Sequence, residues 1–154
     1  MKPLIAWFSW SGTSERTARR LKELTKGASY QIRRDPDYSR DYRTCADVEA
    51  KREYEQQTFP RLREPLPDIE EFDVVYLVFP IWWYTAPLVV QSFLKSVGPF
   101  DKKTVYVFAN SYGKDRRQFE DAVETVRKLA VGANVLPGLY NDDALEEWLE
   151  GVQK

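Results

Sequence analysis

Residues 4–18 read LIAWFSWSGTSERTA and contain the strongest fold signal in the chain. The uninterrupted apolar run at residues 4–8 is typical of a parallel strand that is covered on both faces. Five hydroxyl side chains and one glycine then crowd into residues 9–18. A helical pattern follows, with Ala18, Leu21 and Leu24 on one face. The stretch therefore predicts a buried strand, a polar turn and a helix.

The same alternation of strand and helix continues along the chain. Further strands are predicted at 74–79 and 105–109, with a weaker one at 30–33 and an edge strand at 135–140 that Pro137 and Gly138 interrupt. Helical patterns lie at 45–57, 89–97, 119–130 and 145–152, with Asn141, Asp142 and Asp143 as the cap of the last helix. This order predicts one α/β domain, residues 1–154, with a five-stranded parallel sheet. The polar stretch 33–71 is expected to be a connection across the sheet, and we call it the crossover segment.

Composition excludes several classes of function. The chain has no histidine and one cysteine, Cys45, so zinc sites, histidine-based triads and an internal disulfide are not expected. The 23 basic and 24 acidic residues nearly balance, which argues against nucleic acid and anionic membranes as partners. Neither a membrane-spanning apolar run nor a signal-peptide pattern is found, so a cytoplasmic location is expected.

Ligands of open parallel sheets bind beyond the carboxyl ends of the strands, where the strand order switches. Three loops are expected there: the first loop, 9–16, the second loop, 80–87, and the third loop, 110–116. A helix N-terminus offers unpaired N–H groups to an anion, and serine and threonine hydroxyls add donors. The first loop therefore favours a phosphate site. The alternative is that Ser11 or Thr13 only caps the helix.

The first loop contains neither GxGxxG nor GxxxxGK, which disfavours a dinucleotide or a nucleoside triphosphate. The second loop reads PIWWYTAP and places Trp82, Trp83 and Tyr84 in a row after the central strand. Exposed aromatic residues in such a row indicate a planar ligand stacked at the sheet edge. One of the two tryptophans is expected to face the core.

With both loops considered, nearly the whole chain resembles the flavodoxin-like family, and especially short flavodoxins whose middle loop reads Pro-Ile-Trp-Trp. The resemblance implies a three-layer sandwich with strand order 2-1-3-4-5 and FMN as cofactor. It implies three groups of cofactor-binding residues: Ser9, Ser11, Gly12, Thr13 and Ser14 at the phosphate; Pro80, Ile81, Trp82, Trp83 and Tyr84 at the ring face; and Asn110, Ser111, Tyr112 and Gly113 at the pyrimidine end.

Two features depart from the family pattern. Tyr84 stands where the family usually has glycine, a small residue that lets a peptide flip toward the flavin. That flip is less accessible here, because a positive φ is costly for a bulky residue. The third loop, NSYGKDRRQ, is more basic and poorer in glycine than is usual. Lys114, Arg116 and Arg117 are expected to raise the flavin potential, to hold NAD(P)H phosphates, or to be ordinary charges at a helix start.

The resemblance implies an FMN-dependent electron carrier or a small flavin reductase of the NAD(P)H:quinone type, with electron transfer favoured. Its partner would be a redox protein or a small molecule such as NAD(P)H or a quinone. Neither a catalytic side chain nor a metal site is expected, and the protein would be a monomer or a homodimer. The alternative is a regulatory or interaction module with this fold that no longer binds FMN.

Overall fold

The computed structural model describes residues 3–113, 115–141 and 144–153. Its centre is a sheet of five parallel strands in the order β2-β1-β3-β4-β5, which confirms the predicted fold class and order. The strands are β1 Leu4–Trp7, β2 Ala28–Gln31, β3 Val74–Pro80, β4 Thr104–Asn110 and β5 Asn134–Tyr140. From β1 the chain passes to β2 on one side, and it then crosses back to β3 on the other side. The strand order therefore switches between β1 and β3.

Helices cover both faces of the sheet. They are α1 Thr13–Thr25, α2 Lys51–Gln56, α3 Leu88–Val97, α4 Arg116–Leu129 and α5 Leu145–Gln153, and a π-helical turn, Thr44–Ala50, leads directly into α2. Two of the residues expected to cap α5, Asp142 and Asp143, lie outside the described residues. In the described part of the chain, each helix is too short or too polar to cross a membrane.

Alternate residues of β1 face opposite sides of the sheet, as a strand's period of two requires. Leu4, Ala6 and Phe8 join the core beneath α3, α4 and the crossover segment. Ile5 joins the core beneath α1 and α5. Because both faces are covered, β1 and β3 are continuous apolar runs instead of alternating ones.

Strand β2 begins earlier than predicted, at Ala28 instead of residue 30. The shift is set by a close approach of the backbone: Ala28 N donates to the Pro3 carbonyl at 2.9 Å. A Cβ on the preceding Gly27 would lie 2.6 Å from the same oxygen. This pairing fixes the register of Ala28 opposite Leu4, although alanine has low strand propensity.

Candidate functional site

A cavity of about 550 Å³ opens at the carboxyl ends of β1, β3 and β4, close to the switch in strand order. The three loops and the crossover segment form its walls. The residues lining it are Trp10, Ser11 and Thr13; Pro80, Ile81, Trp82 and Trp83; Asn110, Ser111 and Tyr112; Tyr42, Cys45, Ala46, Asp47 and Ala50; and Asn141. Its volume falls within the roughly 300–1,000 Å³ that is usual for small-molecule and cofactor sites.

The first loop leaves the start of α1 open toward this cavity. Gly12 precedes the helix with φ of 105°, and its N–H donates to Ser9 Oγ at 3.0 Å. None of the described side chains caps the first turn, so the alternative that Ser11 or Thr13 serves as a cap is wrong. Both hydroxyls line the cavity instead, 3.5 Å from each other. Hydroxyl groups and N–H donors of a helix start therefore lie at one end of the cavity.

Ser14 has a different environment from Ser11 and Thr13. It is 1% exposed, and its Oγ accepts a hydrogen bond from Asn110 Nδ2 at 2.6 Å. This bond joins the first loop to the third loop behind the cavity wall. Ser14 therefore does not line the cavity, and neither do Ser9 and Gly12.

The second loop is a tight turn closed by main-chain hydrogen bonds between Trp82 and Thr85 in both directions, at 3.0 and 3.1 Å. The two residues between them, Trp83 and Tyr84, have φ of 48° and 69°. Positive φ at both central residues is the pattern of a type I′ turn, in which glycine or asparagine is preferred. Tyr84 therefore adopts the left-handed conformation that its bulk disfavours.

The aromatic residues of this turn have different surroundings. Trp82 lines the cavity and packs edge-on against Phe8 and Tyr38 of the core, with ring centroids 5.1 and 5.2 Å away. Trp83 also lines the cavity, and its Nε1 donates to the Ala46 carbonyl at 2.9 Å. Tyr84 is 62% exposed and lies outside the lining.

The third loop completes the rim. Ser111 N donates to Asn141 Oδ1 at 2.8 Å, and the hydroxyls of Ser111 and Tyr140 lie 2.6 Å apart. Tyr112 is fully exposed at the cavity edge. Gly113 is not in the lining, and its carbonyl accepts from Tyr140 OH at 2.9 Å.

Two of the basic residues predicted in this region, Arg116 and Arg117, are not in the cavity lining. The guanidinium of Arg116 lies over the ring of Phe119, 5.4 Å from its centroid. Arg117 donates its backbone N–H to Asp115 Oδ1 at the start of α4. Lys114, the other basic residue predicted there, lies outside the described residues. No lysine or arginine of residues 3–113, 115–141 and 144–153 lines the cavity.

The crossover segment supplies a wall that the sequence analysis did not identify. Tyr42, Cys45 and Asp47 line the cavity, and Trp10 of the first loop packs against Tyr42 with centroids 6.0 Å apart. Burial, with the Glu49 carboxylate nearby, raises the pKa of the Cys45 thiol to about 12, so this thiol stays protonated. Tyrosines in a polar stretch were the available signal, but they predict a partner surface or a cover for the sheet, and a cover is the commoner role.

Nine predicted cofactor-binding residues are thus brought together in one lining: Ser11, Thr13, Pro80, Ile81, Trp82, Trp83, Asn110, Ser111 and Tyr112. Ser9, Gly12 and Ser14 shape the first loop behind it, whereas Tyr84 and Gly113 lie apart from the lining. Contact of these residues with a flavin stays a prediction.

A comparison with protein-family models gives the class of protein. The model described as Flavodoxin matches residues 2–152, and the chain therefore belongs to the flavodoxin family. A search of curated proteins found no match.

Solved structures share the fold over nearly the whole chain. A provisionally assigned flavoprotein from Bacteroides eggerthii DSM 20697 is 26% identical, with a TM-score of 0.83 over 99% of this chain and 98% of that one. A second, from Bacteroides uniformis ATCC 8492, is 28% identical, with a TM-score of 0.80 and the same coverage. A flavoprotein from Lactobacillus acidophilus NCFM, crystallised with FMN, is 20% identical, with a TM-score of 0.79 over 96% and 98% of the two chains.

Proposed function

We propose that this protein binds FMN in the cavity at the switch in strand order and serves as an electron-transfer flavoprotein. The observation that carries the proposal is the cavity itself, which joins a hydroxyl-rich helix start to a tryptophan-lined wall. Membership of the flavodoxin family and the FMN complex of the Lactobacillus acidophilus flavoprotein support FMN as the cofactor. When bound, FMN supplies electron-exchange chemistry that amino-acid side chains lack.

The start of α1 fits the phosphate. Ser11 and Thr13 line the cavity with their hydroxyls 3.5 Å apart, beside the uncapped first turn. Gly12 leaves open space toward solvent, because a Cβ built there meets nothing within 4 Å. The first-turn N–H groups and the helix dipole would balance the phosphate charge without a basic side chain.

The tryptophans fit the ring system. Trp10 and Trp83 come from different loops, and both line the cavity. Trp82 also lines the cavity, and its ring packs against Phe8 of the core. Their flat, largely apolar faces would hold a planar ring and exclude water from it. We infer that the second loop holds the ring, as the Pro-Ile-Trp-Trp loop does in the short flavodoxins that it resembles.

The lining also favours an electron carrier over an NAD(P)H-dependent reductase. Arginine and lysine are common donors to the phosphates of NAD(P)H, and the described lining contains neither. Arg116 is held over Phe119 instead.

Titration with FMN and with riboflavin, followed by absorbance and flavin fluorescence, tests the proposal. Riboflavin has the ring and lacks the phosphate, so the wild type should bind FMN much more tightly. The double variant Ser11→Ala with Thr13→Ala should weaken FMN binding about tenfold or more, because hydrogen bonds to a charged group are lost. Riboflavin binding should change little.

A matched control removes two exposed hydroxyls away from the cavity, Thr58→Ala with Ser96→Ala, and should bind both flavins as the wild type does. A wild type that ignores both flavins would contradict the proposal and favour the cofactor-free module. If FMN binds, rapid and sustained oxidation of NAD(P)H with a quinone would identify a reductase instead of a carrier.

A further inference from the structure

Trp10 and Trp83 of the cavity lining each donate a hydrogen bond to one short stretch of the crossover segment. Trp10 Nε1 donates to the Ser39 carbonyl at 2.9 Å, and Trp83 Nε1 donates to the Ala46 carbonyl at 2.9 Å. A cation of the same segment lies over each ring: Arg40 over Trp10 and Lys51 over Trp83. The stretch 39–46 therefore holds aromatic residues of the first and second loops at once.

Glu49 fixes one end of this stretch. Its Oε1 accepts the backbone N–H of Ser39 at 2.7 Å, and its Oε2 lies 3.2 Å from Arg34 Nη1. The two side chains are 23% and 18% exposed, so the pair is well shielded from water. The contacts therefore connect the Glu49 carboxylate to the indole of Trp10 through the main chain of Ser39, whose N–H bonds to Glu49 and whose carbonyl bonds to Trp10.

Glu53, one helical turn later, binds the same arginine. Its Oε2 lies 2.9 Å from Arg34 Nε, and its Oε1 accepts from Tyr38 OH. The Arg34 guanidinium also lies over the Tyr38 ring, 4.4 Å from its centroid. Because residues four apart share a helix face, the two carboxylates hold Arg34 from one side.

These contacts form a buried polar network next to the cavity. Removal of one partner leaves the others without compensation in a low-dielectric environment, which is costly. The network is therefore suited to hold the crossover segment in one position, and with it the aromatic side chains that the segment binds.

We propose that Glu49 is a positioning residue that sets the place of Trp10 in the cavity, through the main chain of Ser39, and so determines affinity for the flavin ring. The inference rests on the proposed FMN binding and adds a role in the crossover segment to it. Glu49 acts on the ring part of the ligand, whereas Ser11 and Thr13 act on its phosphate.

The test compares Glu49→Ala and Glu49→Gln in titrations with FMN and riboflavin. Glu49→Ala should weaken both flavins by a similar factor, about tenfold, as expected for a lost hydrogen bond to a charged group. The ratio of the two affinities should stay at its wild-type value. Glu49→Gln keeps an oxygen that accepts from Ser39, so most of the affinity should return. Glu55→Gln, an exposed change on α2, is the matched control and should have no effect.

A double-mutant cycle tests the route through Trp10. Trp10→Phe keeps an aromatic ring but removes the donor to Ser39. Glu49→Ala should then cost little further affinity in the Trp10→Phe background, because residues that act through one another are not additive. Near-UV circular dichroism of the flavin-free proteins gives a readout without ligand: Glu49→Ala should change the indole signal, and Glu55→Gln should not.

The outcomes separate the two proposals. Failure of the wild type to bind either flavin would contradict FMN binding itself. If the wild type binds flavin and Glu49→Ala binds it with equal affinity, the positioning role alone is overturned. It is also overturned if the effects of Glu49→Ala and Trp10→Phe on affinity are fully additive, or if Glu49→Gln binds flavin as weakly as Glu49→Ala. If Glu49→Ala does not fold, Glu49→Asp, whose shorter side chain withdraws the carboxylate from the Ser39 N–H, replaces it in the cycle, and the same loss of additivity is expected.

Discussion

Gly12 has a positive φ and lies in the first loop, directly behind the cavity lining. Its φ of 105° lies in the region that favours glycine, although a Cβ would meet no neighbouring atom within 4 Å. Gly12→Ala should therefore cost about 1–2 kcal/mol of unfolding free energy through backbone strain alone. It should also weaken FMN more than riboflavin, because relaxation of the strain moves the helix start. Urea denaturation and the two titrations check this, with Gly151→Ala, which also meets open space, as control.

The backbone of Tyr84 is strained, and its side chain is exposed. Its φ is 69°, and the side chain is 62% exposed. Tyr84→Gly should raise the unfolding free energy by about 0.5–1 kcal/mol, because relief of the left-handed strain exceeds the added entropy of glycine in the unfolded chain.

Tyr112→Gly is the matched comparison in thermal unfolding, because Tyr112 is exposed and its φ is not positive. That variant should be neutral or destabilised. A Tyr84→Gly variant less stable than the wild type would show that the ring makes a stabilising contact in solution.

Among the elements, the crossover segment was the hardest to predict. Its helix was expected at 45–57 and is found as the turn Thr44–Ala50 followed by Lys51–Gln56. Its role in the cavity depends on contacts between residues far apart in sequence, such as Trp83 with Ala46. Composition and periodicity carry no information on such pairs, so Tyr42 and Asp47 could not be placed in the site.

Other parts were predictable for local reasons. Strands β3 and β4 are continuous apolar runs because both faces are covered, and this signal does not depend on distant residues. The first loop was predictable because a strand, a glycine turn and a helix follow one another directly. Asn141 was assigned as a helix cap, whereas its side chain accepts from Ser111 N at the cavity. That role requires β4 and β5 to be adjacent, which the sequence reveals only through the fold.

Glu53 should make the stability of the crossover segment depend on pH. Burial raises the pKa of its carboxyl above the usual 4.5, although bonds from Tyr38 and Arg34 act in the opposite direction. The protonated form is therefore more favoured in the folded state than in the unfolded state. The stabilisation is complete below the unfolded pKa and is lost as the pH rises through the folded one. The unfolding free energy of the wild type minus that of Glu53→Gln should thus fall as the pH rises from about 4 upward.

Urea denaturation at a series of pH values measures this difference. The charged neighbours Arg34 and Glu49 are present in both proteins. Glu55→Gln, an exposed change on the same helix, is the matched control. A difference for Glu53→Gln that rises with pH would mean that attraction to Arg34 outweighs burial.

The two faces of the sheet contribute different parts of the site: the tryptophan-lined wall lies over one face, and α1, which begins at the phosphate end, packs on the other face together with α5. The crossover segment and Trp82 belong to the core cluster that contains Phe8 and Phe93. On the other face, α5 packs Trp148 against Tyr76, Tyr106 and Phe108, with centroids 4.9–6.3 Å away. None of these four residues lines the cavity.

Because Trp148 and its three ring partners are not in the cavity lining, stability should be changeable at Trp148 without a matching change in flavin affinity. Trp148→Ala removes a half-buried ring and should cost about 2–3 kcal/mol of unfolding free energy, below the range for fully buried tryptophan. The folded fraction should still bind FMN with an affinity within about twofold of the wild type, because mutations at distant sites with no shared partners act independently. Trp82→Ala, which removes a ring that lines the cavity and packs against the core, should lower both quantities. Denaturation and FMN titration of the same samples would distinguish the two variants, and a large loss of FMN affinity in Trp148→Ala would mean that the sheet transmits packing changes from one face to the other.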